Sequence, residues 1–293
     1  MATSRYYRVA GFDFGVLASA APFTFPANYA PFLISEAEAH DLLFLLTMGE
    51  LPDTADARYL FSNTSDDDMP RIEVYRLPST GGWLFRLAER KTSDVCASLV
   101  TSADFHTATL SCAQPHLIRF ALDNAAMMLF AFTTARRETL TLHASVTVKD
   151  NLGYLFIGHS GAGKSTHSRL WHEAFPDAWL LNDDNPVVRF EHNRLMVYGS
   201  PWSGKTPCYK ALSVPVRGIA LIQQAPANAM RRLTMPEAYA HLLSSSSGLK
   251  TEPEMMDAIY QTLVRVLETV AVYTLECLPD TDAARLCHDT MNQ

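Results

Sequence analysis

The sequence predicts an α/β domain built on a mixed sheet, preceded by a smaller α+β domain. Three observations carry that reading. From about residue 138 onward, apolar runs of strand length (LHASVTV, GYLFIG, AWLL, VVRF, LMVYGS, RGIALIQ) alternate with Gly-rich or Pro-rich loops and with helix-like segments at 165–174, 236–243 and 256–270. VVRF-EHNR-LMVY reads as a hairpin, which makes the sheet mixed and not purely parallel. Residues 1–112 instead show short β-like runs (RYYRVAGFDF, RIEVYRL, GWLFRLAER) and one helix-like patch, EAEAHDLLFLLTMG. The expected domains are 1–112 and 113–293, the second opening with a long buried helix at 115–136 and closing with a strand, AVYTLEC, and a short helix, TDAARLCHDTM.

Bulk properties exclude several classes. A chain of 293 residues with 48% hydrophobic content can bury a core. Its 24 Lys and Arg against 31 Asp and Glu give a net charge of −7, with no basic run, so nucleic acid and anionic membrane are poor first choices as partners and neither is expected. Five cysteines, Cys96, Cys112, Cys208, Cys277 and Cys287, are scattered without a C-x-x-C pair, as in a cytoplasmic protein with reduced thiols. The segment MATSRYYRVAG has no apolar signal region. The apolar segment Leu117–Arg136 carries Arg119 and Asp123 and reads as a buried helix, so no membrane insertion is expected. Self-association is left open.

The chemistry begins at GYLFIGHSGAGKSTHSRL. Gly158-x-x-x-x-Gly163-Lys164-Ser165 satisfies the Walker A pattern, with an apolar strand entering the loop and a helix-forming run leaving it. Glycines let consecutive backbone N–H groups converge on phosphate oxygens, and the following helix offers its positive end. Gly158, Ser160, Gly161, Ala162, Gly163, Lys164, Ser165 and Thr166 are the candidate nucleotide-binding residues, with Lys164 reaching the β- and γ-phosphates and Ser165 ligating magnesium. ATP and Mg²⁺ are the expected cofactors.

Charged partners are sought on other strands. AWLLNDDNPVV puts Asp183 and Asp184 at the carboxyl end of an apolar strand, the edge where a cradle of this kind sits. One carboxylate can hold magnesium while the other takes a proton from an incoming hydroxyl; an Asx turn capping the strand is the plain alternative. His143, in TLHASVTV, lies one strand before the cradle and reads on spacing alone as a core histidine or a functional one. Lys205, in YGSPWSGKTP, is either an exposed turn lysine or a cation for the transferring phosphoryl group. Arg217, in VPVRGIALI, is either a strand-end cation or a catalytic one. NTSDDDMP, with Asp66, Asp67 and Asp68, reads as a solvated turn, and LSSSSG at 243–248 as a flexible loop.

Taken in order, TLHASVTV, GHSGAGKST, LLNDDNPVV, YGSPWSGK and VPVRGIALI resemble the HPr kinase/phosphorylase-related proteins, whose fold is shared with the carboxyl-terminal region of phosphoenolpyruvate carboxykinase. The resemblance spans about 138–290 and implies a P-loop kinase-like domain that phosphorylates a serine of a protein or peptide, the acceptor being unidentified. It implies Asp183 as the base, Asp184 and Ser165 as metal ligands, His143 in the active site and Arg217-Gly218 as the Arg-Gly of the bacterial signature. The chain departs from that signature at Pro215 and Thr166, where glutamates are usual, which fits a divergent member with another acceptor. A carboxykinase-like enzyme and a non-catalytic nucleotide-binding regulatory module are the alternatives.

Overall fold

A computed structural model of the chain describes residues 3–18, 23–63, 70–91, 93–204 and 206–293. The architecture is mixed α/β and divides into two compact units, Met1–Thr133 and Thr134–Gln293.

The first unit is built on strands β1 (Thr3–Val9), β2 (Phe12–Ala18), β3 (Leu33–Ile34), β4 (Leu45–Met48), β5 (Arg58–Ser62), β6 (Arg71–Leu77), β7 (Gly82–Ala88), β8 (Ala97–Thr101) and β9 (Thr107–Cys112), followed by helix α1 (Ile118–Thr134). Among the described residues they form one nine-stranded sheet in the order β3-β1-β2-β4-β9-β8-β7-β6-β5. RYYRVAGFDF is a hairpin, turned at Ala10 and Gly11 with φ of 49° and 77°, the left-handed pair that a tight two-residue turn needs.

Two expectations are corrected here. EAEAHDLLFLLTMG does not form a helix: Ser35 and Glu38 close a turn, and Leu45–Met48 becomes β4, parallel to both β2 and β9. Leu43 and Phe44 are buried just before β4, and the four-residue strand itself is too short for period 2 and period 3.6 to be told apart. The unit boundary falls at Thr133/Thr134 instead of 112/113, because α1 covers the aromatic face of the first sheet: Phe130 meets Phe12 at 6.1 Å and Phe132 meets Phe85 at 5.8 Å. Pro115–Arg137 is long and apolar enough to cross a membrane by length and composition, but 61% of its most apolar window is buried, as in a core helix.

The second unit comprises β10 (Thr139–Thr141), β11 (Ala144–Lys149), β12 (Leu152–Ile157), α2 (Lys164–Ala174), β13 (Trp179–Asp184), β14 (Val187–Glu191), β15 (Arg194–Tyr198), β16 (Ser213–Gln224), β17 (Ala229–Arg232), α3 (Met235–Ser245), α4 (Pro253–Thr269), β18 (Val272–Cys277) and α5 (Thr281–Met291). Its sheet runs β10-β14-β15-β16-β12-β11-β13, with β18 on β16 and β17 on β18. Local chemistry sets the helix ends: the Glu237 carboxylate accepts from the Thr234 N–H at 2.8 Å at the start of α3, and Asp280 accepts from the Ala283 N–H at 2.9 Å at the start of α5.

Strand direction positions the site. β11 runs antiparallel to β12 and β13, whereas β16 is parallel to β12 and β18 is parallel to β16. Therefore β12, β13, β16 and β18 point the same way and their carboxyl ends share one edge. The first residue of β11, Ala144, pairs with both Ile157 and Asp184, so the residue before it, His143, stands on that edge too. The scaffold beneath is an apolar cluster in which Tyr154, Phe156 and Leu275 of the sheet meet Trp171 of α2 and Cys287 and Met291 of α5. Truncating a fully buried tryptophan such as Trp171 costs about 3–5 kcal/mol, so α2 is held firmly where it leaves the cradle.

Candidate functional site: a phosphate cradle at the strand ends

β12 ends at Ile157 and the chain turns through Gly158, Gly161 and Gly163 at φ of 150°, 77° and 106°. At Gly158 a side chain is excluded twice: by its backbone angle, and because a Cβ would lie 3.1 Å from that of Ala162 and 3.2 Å from the Ile222 carbonyl oxygen. α2 then starts at Lys164, so its free N–H groups and positive dipole end face the turn. A buried hydroxyl pair, Ser145 Oγ to Ser168 Oγ at 2.7 Å, pins α2 to β11.

The Lys164 ammonium folds back into the turn. It donates to the carbonyl oxygens of Gly158 at 3.0 Å and His159 at 3.2 Å, and to His143 Nε2 at 2.9 Å. Burial pulls its pKa below the ordinary lysine value, and the carboxylates of Asp184 and Asp183 pull it back up. Because Nε2 of His143 accepts from an ammonium, the ring proton is on Nδ1, which lies 2.8 Å from Asp184 Oδ1. The geometry is a chain of Lys164, His143 and Asp184 running along the strand ends.

Asp183 has a different partner. The Ser165 hydroxyl donates to its Oδ1 at 3.0 Å, and the aspartate is 4% exposed. Its main-chain carbonyl is held by the Ser203 hydroxyl at 3.0 Å and the Gly204 N–H at 2.6 Å. Asp184 takes a φ of 125°, a costly angle for a residue with a side chain. Gly204 makes room for it, since a Cβ there would lie 3.0 Å from the Asp184 Cβ. Beneath the pair, Asn182 donates to Ser200 Oγ at 3.1 Å and accepts from the Asn185 N–H at 3.0 Å, fixing the turn into Pro186.

Of the residues the sequence singles out, Gly158 to Thr166, His143, Asp183 and Asp184 come together at this edge. Lys205 lies outside the described residues, as do Asp66, Asp67 and Asp68. Arg217 is not brought to the cradle. Its neighbours Val216 and Gly218 pair with Gly153 and Tyr154, at the opposite end of β12, roughly 15 Å away at the rise of an extended strand. There Arg217 Nε donates to Asn292 Oδ1 at 3.0 Å. LSSSSG proves to be more than a flexible loop: the Ser245 carbonyl accepts from the His143 N–H at 2.7 Å, and the Ser247 N–H donates to the Thr141 carbonyl at 3.0 Å. Gly204, Asn182 and Ser200 were missed, and only their nearness to Asp183 in a Gly/Ser-rich segment hinted at them.

Two cavities flank the first turn of α2. One, of about 460 Å³, is lined by Ser165, Arg169, His172, Asp183 and Thr206 among others. The second, of about 340 Å³, lies between α2 and the ends of β16 and β18. Among the described residues no group of three or more His, Cys, Asp and Glu side chains forms a self-sufficient metal cage. Oxygen donors suited to a hard cation are nonetheless present in the Ser165 hydroxyl and the two aspartates, beside amides that suit phosphate.

No protein-family model matches the chain, and no curated protein sequence does. Among solved structures the chain is similar to the Hpr(Ser) kinase/phosphatase from Coxiella burnetii, with 14% identity over 52% of this chain and 94% of that one and a TM-score of 0.31. A likeness at that level carries no weight for the reaction.

Proposed function

We propose that this protein transfers the γ-phosphate of ATP to a hydroxyl group, a serine of a protein or peptide being the acceptor. The observation that carries the reading is the Ser165–Asp183 contact, which joins the glycine turn to an acid that lines the 460 Å³ cavity. The backbone amides of 158–165 bind the triphosphate, and Lys164 exchanges its carbonyl partners for β- and γ-phosphate oxygens. An acceptor hydroxyl in the cavity beside Asp183 gives its proton to that carboxylate as its oxygen bonds to the γ-phosphorus. The bond from phosphorus to the bridging oxygen breaks, ADP leaves with that electron pair, and Asp183 later releases the proton to water. His143, hydrogen-bonded at both nitrogens, holds Lys164 and Asp184 in register. Ser165 and Asp184 would hold Mg²⁺, which would supply charge neutralisation on the phosphate oxygens.

The test is incubation with γ-labelled ATP and a lysate of the source cell. Label transferred to a protein band by the wild type and not by Lys164→Ala supports the proposal. ATP binding without transfer and without hydrolysis favours the regulatory module, and oxaloacetate-dependent ATP consumption favours the carboxykinase.

A further inference from the structure

We propose that the 340 Å³ slot between α2 and the ends of β16 and β18 is the seat of the purine base of the nucleotide. The inference rests on the phosphate-cradle reading and adds to it which side of the helix the rest of the molecule occupies. Ala162, Gly163 and Thr166 belong to the cradle and also line the slot, so a molecule anchored by its phosphates reaches it without a break. Beyond them the walls are Leu170, Ile222, Ala225, Cys277, Leu278 and Pro279. Such walls suit a flat, uncharged ring, and the volume falls within the usual range of small-molecule pockets.

The charge distribution decides between the two cavities. The one beside Asp183 also carries Arg169 and His172 and offers an ionic, hydroxyl-rich lining. Among the described residues the slot's lining holds no carboxylate, lysine or arginine. The imidazole in its lining, His167, is 2% exposed, and burial holds it neutral by pulling its pKa down to about 4. Trp171 Nε1 donates to His167 Nε2 at 3.0 Å, which leaves the ring proton on Nδ1. That Nδ1 is buried and has no hydrogen-bond partner among the described residues. Gln224, at the slot, donates from Nε2 to the Gly161 carbonyl at 3.1 Å and so ties the slot to the phosphate turn.

The experiment is calorimetry with Mg-ATP and with inorganic triphosphate plus Mg²⁺, on the wild type and on two plugged variants. Ala225→Trp fills the slot from a partly exposed position whose backbone N–H bond to the Cys277 carbonyl is unaffected by the side chain, and Leu278→Trp does so from a position that is 39% exposed. The wild type is expected to bind ATP about tenfold or more tightly than triphosphate, because the ring buries apolar surface that triphosphate lacks. Each plug should remove most of that advantage and leave triphosphate affinity unchanged, which also reports an intact fold. Equal wild-type affinity for the two ligands overturns the proposal, and so does a plug that leaves the ATP advantage intact. If the wild type binds neither ligand, the cradle reading itself falls and the base site with it.

Discussion

Replacing Asp183 by Asn removes one charge and one proton acceptor while keeping the shape of the side chain. The Ser165 hydroxyl, 3.0 Å from Oδ1, would still find an amide oxygen to donate to, and the Ser203 and Gly204 bonds go to the main chain and are untouched. Stability should therefore stay within about 1 kcal/mol of the wild type. The loss falls on the reaction: removing a general base costs about 10²–10⁴ in rate, which is roughly 3–5 kcal/mol of barrier. ATP affinity should change by no more than about threefold, since the charge acts chiefly in the transition state. The assay pairs γ-label transfer to the acceptor, and hydrolysis with water as acceptor, with calorimetric ATP binding on the same preparation. An unchanged turnover number would refute the base role. A parallel fall in turnover and affinity would make Asp183 a metal ligand instead.

Lys164→Ala should abolish transfer, by about a thousandfold or more, without altering the circular dichroism spectrum, because the lysine's partners are two carbonyls and a histidine at the edge of the core. Gly204→Ala should push the Asp184 carboxylate away from His143, since a Cβ would lie 3.2 Å from Asp184 Cγ; a fall in turnover of about tenfold with near-normal ATP affinity is expected, and unchanged turnover would contradict the Asp184–His143 coupling. In the first unit, burial pushes the Asp123 carboxyl up to about 6, against hydrogen bonds from Asn28 and Tyr29 and the charge of Arg119. A carboxyl that binds its proton more tightly when folded lends stability below its unfolded pKa of about 4, and loses it as the pH rises through the folded value. Relative to Asp123→Asn, the wild type should therefore lose on the order of 3 kcal/mol between pH 4 and pH 7 in urea unfolding; parallel pH profiles would refute this.

The glycine turn was legible because its information is local: glycines at fixed spacing, a strand before and a helix after. Most strands of the second unit and the hairpin turned at His192 and Asn193, with φ of 47° and 63°, were legible for the same reason. What escaped was long-range. The segment holding Leu43, Phe44 and Leu46 reads as a helix until the partners β2 and β9, one before it and one after, are known. Strand β17 was missed because Ala229–Arg232 is largely exposed and lies at the sheet's edge on β18. Arg217 sits early in β16, at the end of the sheet opposite the glycine turn, and only the pairing of β16 with β12 reveals that. Ser245 could not be found at all, since it acts through its main-chain carbonyl, and any residue there would offer the same atom.

That last contact ties the histidine to a distant support. The peptide of His143 hangs from the final turn of α3, and the Leu142–Ser246 bridge beside it is the seam between a peripheral helix and the strand carrying the imidazole. Alignment of the ring with its lysine and its aspartate is thus set partly from outside the glycine turn, by a stretch that lines neither of the two cavities. Lengthening or shortening the chain by one residue at 244–247 would misalign the imidazole while every side chain of the glycine turn remained in place.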